Sequence, residues 1–229
     1  MSQKTLTQQE MKQAVVAALE TNDFEAIGRL ALQSRKVLSA LVRLAYDKET
    51  LVGWRAIVAA GRVASAYIGN NYEFLRETVR KLLWSLTDES GGIGWSAPEL
   101  IGEIVSSDPK RFSDIVPMIA EVFCIEEAVF RPGVLYAFKR IAETHPEIIT
   151  PFQKIILGGL SEQDPKTRIY AIKLVMMLTR HLGRENLESM KKQVAALTQD
   201  EQATWIYEGD GFSGVVVKEF AAEAMRRLS

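Results

Sequence analysis

The residues best equipped for chemistry in this chain gather in the stretch DESGGIGWSAPELIGEI, Asp88 to Ile104. Asp88 and Glu89 open it, three glycines follow, and Trp95, Glu99 and Glu103 come after. A second tryptophan, Trp54, with Arg55 beside it, occupies the equivalent place in an earlier unit. Trp54, Arg55, Asp88, Glu89, Trp95 and Glu99 together would rim an acidic, aromatic hollow able to hold a protein partner or a small ligand. The packing alternative is that the tryptophans plug joints between helices and the glycines let the helices approach closely. Three glycines cost more backbone entropy than a plain turn requires. Glu99 and Glu103 stand four residues apart, on one face of a helix. That spacing lets them act together, although exposure of both to solvent is the expectation.

Other acidic pairs precede helices along the chain: Asp47 and Glu49, Glu126 and Glu127, Glu162 and Asp164, Glu208 and Asp210. Carboxylates there cap free backbone N–H groups and suit the positive end of the helix dipole. As a rim, the same residues would attract a basic partner or a divalent cation.

Several chemistries are excluded. Neither glycine-rich stretch, DESGGIGW or EGDGFSG, has the Gly-Lys-Ser/Thr of a phosphate loop or the spaced ligands of a calcium loop. One cysteine, Cys124, and two histidines, His145 and His181, give no zinc spacing and no intrachain disulfide. The apolar neighbours of Cys124 imply a buried, inert thiol. No catalytic residue, metal site or cofactor is assigned, and the chain is expected to bind rather than to catalyse.

The balance of 28 Lys+Arg against 29 Asp+Glu gives a net charge of −1, which supplies no general attraction to nucleic acid or an anionic membrane. Basic residues do cluster at Arg76, Arg80 and Lys81 and at Lys191 and Lys192, on helices that read as outer ones. No apolar run approaches membrane-spanning length, and the polar N-terminus carries no leader core, so a reducing cytoplasm is expected.

The elements that must position these residues are helices. Apolar residues recur at steps of three and four almost throughout, and strand signal is nearly absent. Residues 1–46 read as cap helices: Leu6–Glu20, Phe24–Gln33 and Arg35–Tyr46. Residues 47–229 then repeat a turn-plus-helix unit within a single domain. Aligning Val52-Gly53, Ile93-Gly94, Phe130-Arg131, Thr167-Arg168 and Val217-Lys218 puts Ala56, Ala97, Val134, Ala171 and Ala221 three residues further on. Seven further on stand Ala60, Ile101, Phe138, Val175 and Met225; ten further on, Val63, Ile104, Ile141, Leu178 and Leu228. Those steps define one helix face, and a period near forty residues marks a helix-pair repeat. The longer last interval implies an insertion at Trp205–Gly214.

The stretch SEQDPKTRIYAIKLVMML, Ser161 to Leu178, resembles the second half of a HEAT repeat. It carries Asp164-Pro165 in the turn, Arg168 at the helix start, and Ala171, Val175 and Leu178 inside. VFRPGVLYAFKRIAETHPE is similar, while two earlier units keep the core but carry Gly53 and Gly94 in place of the arginine. The resemblance implies an all-α superhelix of about five helix pairs whose second helices line a concave side. It also implies a ladder in which Asp164 pairs with Arg131 or Arg168. A protein partner or a small ligand on the concave face is the expected role. The alternative it carries is a DNA-alkylation-repeat-like DNA-binding protein or glycosylase, to which WSLTDE is faintly similar, but such a protein should be basic. The phycobilin-lyase HEAT-like proteins share the repeat, yet no residue here carries bilin chemistry.

Overall fold

In the computed structural model, residues 7–86, 93–124 and 128–228 are described. The chain begins with α1 (Gln8–Glu20), α2 (Phe24–Gln33) and α3 (Lys36–Leu44), which pack on one another and on α4 (Leu51–Tyr67). Thr7 starts α1 with a reciprocal cap: its hydroxyl accepts from the Glu10 N–H while the Glu10 carboxylate accepts from the Thr7 N–H. Then come α5 (Tyr72–Ser85), α6 (Ala97–Val105), α7 (Val116–Cys124), α8 (Arg131–Ala142), α9 (Pro146–Ile149), α10 (Gln153–Leu160), α11 (Pro165–Leu178) and α12 (Arg184–Ala196). Strands β1 (Ala203–Glu208) and β2 (Gly211–Val216) precede the last helix, α13 (Val217–Leu228).

Helices α4, α6, α8, α11 and α13 pack each upon the next and form one inner row, while α5, α7, α10 and α12 lie against that row. This is an all-α solenoid. Ala56, Ala97, Val134, Ala171 and Ala221 are fully buried along the row, as are Ala60, Ile101, Phe138 and Val175. Small residues at the first position let neighbouring helices approach, and aliphatic and aromatic ones fill the space beyond. The two glycine anchors have a steric cause. A Cβ on Gly53 would collide with the Asp47 carbonyl, and one on Gly94 would lie 2.6 Å from the Ser85 carbonyl oxygen. The backbone folds back too closely there for the arginine of the other units.

The sequence predicts single helices over Phe112–Phe123 and Pro146–Leu160, a buried Cys124 and almost no strand, and the structure departs from each. Residues expected as one helix over Pro146–Leu160 form α9, a 3-10 turn at Thr150–Phe152, and α10, because Pro151 offers no N–H to continue the ladder. The helix expected from Phe112 begins only at Val116. Cys124, expected inside, is exposed at the end of α7. The fourth departure is the largest: the insertion after α12, expected as a glycine-rich acidic loop, is an antiparallel β-hairpin. Its register pairs Ala203 with Val216 and Glu208 with Gly211 across a Gly209-Asp210 turn.

The ladder also uses other partners than expected. Asp164 caps α11, accepting from the Thr167 N–H at 2.8 Å and the Thr167 hydroxyl at 2.6 Å. Arg131 pairs with Glu162 at 2.8 Å, and Arg168 with Asp200 at 2.9 Å. Asp164→Ala is expected to cost about 1 kcal/mol, the usual worth of a side-chain cap. A urea midpoint unchanged from that of the parent chain would show that the cap contributes nothing.

A hollow on the inner face

Rings, rather than open groove, fill much of the inner face. Trp54 of α4 meets Tyr136 of α8 edge-on at 5.2 Å between centroids. Contact between these two helices, across the position of α6, means that the row curves tightly. Tyr207 of β1 stacks on Trp54 at 5.5 Å, nearly parallel, and Phe212 of β2 meets Tyr207 edge-on. Tyr136 continues the column to Tyr170 of α11 at 5.6 Å. The hairpin therefore lies over the inner row and is pinned at its tip. Asp210 accepts from the Asn22 amide at 2.9 Å through its carboxylate and from Arg55 Nη2 at 3.1 Å through its carbonyl. Lys173 of α11 pairs with Glu208.

Beside this column a hollow of about 300 Å³ remains. Trp54, Glu99, Pro132 and Tyr170 contribute to it from four inner helices, and Lys48, Glu49, Val129, Asp164 and Lys166 stand around it. Glu99 is only 3% exposed. Lys48 Nζ donates to its Oε1 at 2.8 Å and to the Trp95 carbonyl at 2.7 Å. The other oxygen, Oε2, is buried and has no hydrogen-bond partner among the described residues. Space for this carboxylate exists because residue 133 is glycine: a Cβ there would lie 2.7 Å from Glu99 Cδ. The Tyr170 hydroxyl is likewise buried without a partner. Burial first, and then the carboxylates of Glu99, Glu208 and Asp164, push its pKa upward, so it stays a neutral phenol. Buried polar atoms left unpaired cost stability, and native chains keep few of them.

One helical turn on, Glu103 belongs to a separate and nearly closed network. It is 1% exposed, accepts from the Tyr136 hydroxyl at 2.5 Å and from Arg140 Nε at 2.7 Å, and sits where a Cβ on residue 61 would collide with it. The expectation that Glu99 and Glu103 are solvated is therefore corrected. Close packing of α6 between α4 and α8 buries both carboxylates, and they serve different partners. Burial raises the Glu103 pKa, opposed by Arg140 and Tyr136.

Of the residues singled out in the sequence, Trp54 and Glu99 meet in the hollow. Trp95 does not line it. Its ring leans on Phe130, 41% of the residue is exposed, and its backbone carbonyl holds Lys48. Arg55 turns away, donating to the carbonyls of Leu19 and Glu20 as well as to Asp210. Asp88 and Glu89, like Glu126 and Glu127, lie outside the described residues. Sequence reading missed Lys48 and Tyr170. The basic clusters on outer helices are largely paired: Arg76 with Asp114, Arg80 and Lys81 with Glu77, and Lys191 with Glu188. A larger groove of about 580 Å³ runs between α1 and α3, but none of its lining residues holds a buried unpartnered polar atom. Among the described residues no cluster of potential metal ligands occurs, and no helix is long and apolar enough to cross a membrane.

No protein-family model matches the sequence, and no curated protein matches it. Solved structures do. A designed armadillo repeat protein superimposes with a TM-score of 0.55 at 17% identity, over 97% of this chain and 95% of that one. Another designed armadillo repeat protein, solved in complex with the peptide (KR)4, gives 0.53 at 15% identity over 96% and 98%. An engineered protein gives 0.56 at 14% identity over 97% and 93%. The likeness is one of fold, and the chain has a HEAT/armadillo-like helical repeat architecture.

Proposed function

We propose that this chain is a non-enzymatic recognition module that holds a small ligand, or one side chain of a protein partner, in the Trp54–Glu99–Tyr170 hollow. The observation that carries the reading is the hollow itself, about 300 Å³, to which four successive inner helices contribute Trp54, Glu99, Pro132 and Tyr170. The volume suits a small molecule or a single side chain. A long extended peptide fits less well, because the hairpin and the aromatic column occupy much of the inner face. The armadillo design that carries a peptide is a precedent for recognition on this architecture, not for the ligand. The DNA-alkylation-repeat alternative lacks a free basic face on the outer helices named above.

The test is a fragment and peptide screen followed through the four tryptophan indole resonances. Ligands are expected to move a subset of them, and Val129→Trp, placed at the exposed edge of the hollow, is expected to abolish the effect. Hits that bind the plugged variant as well as the parent chain would place recognition elsewhere.

A further inference from the structure

Between the first and third helices the stack leaves a second surface, independent of the hollow. The groove there measures about 580 Å³. Its floor is apolar: Met11 of α1 is buried, and Ala40 and Leu44 of α3 are half-buried. Lys36, Ala40 and Arg43 follow at steps of four and three along one face of α3, and Lys12 joins them from α1. All three cations are exposed, no carboxylate lines the groove, and none of the three forms an ion pair among the described residues. At other helix joints the cations are matched: Lys48, Arg131, Arg140 and Arg168 each hold a carboxylate. We infer that this groove docks an acidic, amphipathic helix of a partner protein, its apolar side chains on the floor and its carboxylates along both walls. Lys36 and Arg43 lie roughly 10 Å apart along α3, and Lys12 stands on the opposite wall. A single carboxylate, as in a fatty acid, meets one of them; a helix whose glutamates flank an apolar stripe meets all three. Nucleic acid brings many anions but no hydrocarbon for the floor, and no aromatic residue lines the groove to stack a base. Burial against the floor supplies the affinity. The exposed cations set orientation and encounter rate, because exposed ion pairs contribute little by themselves.

Fluorescence anisotropy with the full chain tests this. The probe is the fluorescein-labelled peptide LEELLEELEELLEE; SEESSEESEESSEE lacks its apolar stripe, and LKKLLKKLKKLLKK reverses its charge. The probe is expected to bind at least about tenfold more tightly than either counterpart, and to weaken as salt rises. Lys36→Glu/Arg43→Glu reverses two exposed charges, so it should keep the helicity of the parent chain and weaken binding at least about tenfold. Ala40→Trp fills the floor without changing charge and should weaken binding as much. Val129→Trp, which plugs the hollow, should leave probe binding unchanged, so this inference and the recognition reading above fail separately. No binding of the probe, equal binding of either counterpart, or full binding by both groove variants overturns the inference. Displacement of the probe by decanoate or by oligo-dT at lower concentration than by unlabelled peptide also overturns it, and assigns the groove to a lipid acid or to nucleic acid.

Discussion

Trp54→Ala is expected to lower the free energy of unfolding by about 3–5 kcal/mol, the range for removing a core aromatic. For a chain of this size that corresponds to a fall in Tm of roughly 10 °C. The effect is large because the ring is shared. It is 3% exposed, carries Tyr207 on one face and meets Tyr136 at an edge, so its loss leaves a cavity between α4, α8 and the hairpin together. Truncation should also free the hairpin, measured as faster amide exchange over Ala203–Val216. Trp95→Ala is the control. It occupies the equivalent sequence position but is 41% exposed, and its cost should stay within about 1 kcal/mol. Urea unfolding followed by circular dichroism reads both. Equal costs for the two would show that the stacked column does not stabilise the fold.

Glu103→Ala is expected to cost about 3–5 kcal/mol, because it strands the groups built around the carboxylate. The Tyr136 hydroxyl loses its acceptor in a buried place, and Arg140 keeps only Glu143. Glu103→Gln should cost far less, since an amide oxygen can still accept from Tyr136. The two variants separate hydrogen bonding from charge. Burial holds the folded pKa of Glu103 above its ordinary 4.5. Its contribution to stability is thus complete below that value and is lost as pH rises through the folded value. Subtracting the pH profile of Glu103→Gln from that of the parent chain should show this decline and leave the opposite trend of Asp114, whose pKa Arg76 lowers, in both. A difference profile that rises with pH would contradict the burial argument.

The helices and the stack were legible because one apolar face repeats at steps of three and four, and backbone geometry then leaves little choice. The polar face of the same helices repeats too, and it holds the sites. Five residues past the anchors stand Glu99, Tyr136 and Lys173; nine past stand Arg62, Glu103 and Arg140. Adjacent units thus present Glu103 to Tyr136 and Arg140, a pairing that the alignment contained but that reading only its apolar positions passed over. Trp54 and Trp95 show the limit of equivalence by register. Trp54 is covered by a hairpin that arrives from the far end of the sequence, whereas among the described rings Trp95 packs beside Phe130. The hairpin had a local signal, Gly209-Asp210 between ATWIYE and GFSGVV, but both Ile206 and Tyr207 are buried, which blurs the alternation that marks a strand. Tyr170 had no local signal at all; only the curvature of the row brings it to Glu99.

The hairpin changes how the stack holds itself together. In an ordinary solenoid each unit touches only its neighbours, so the ends fray and the array can be shortened. Here Asp210, near the C-terminus, reaches Asn22 and Arg55, near the N-terminus. That clasp turns an open array into a loop, so that loss of the last unit also loosens the first. Coupled unfolding of the two ends is therefore expected in place of fraying from either, together with a long-range contact that slows folding.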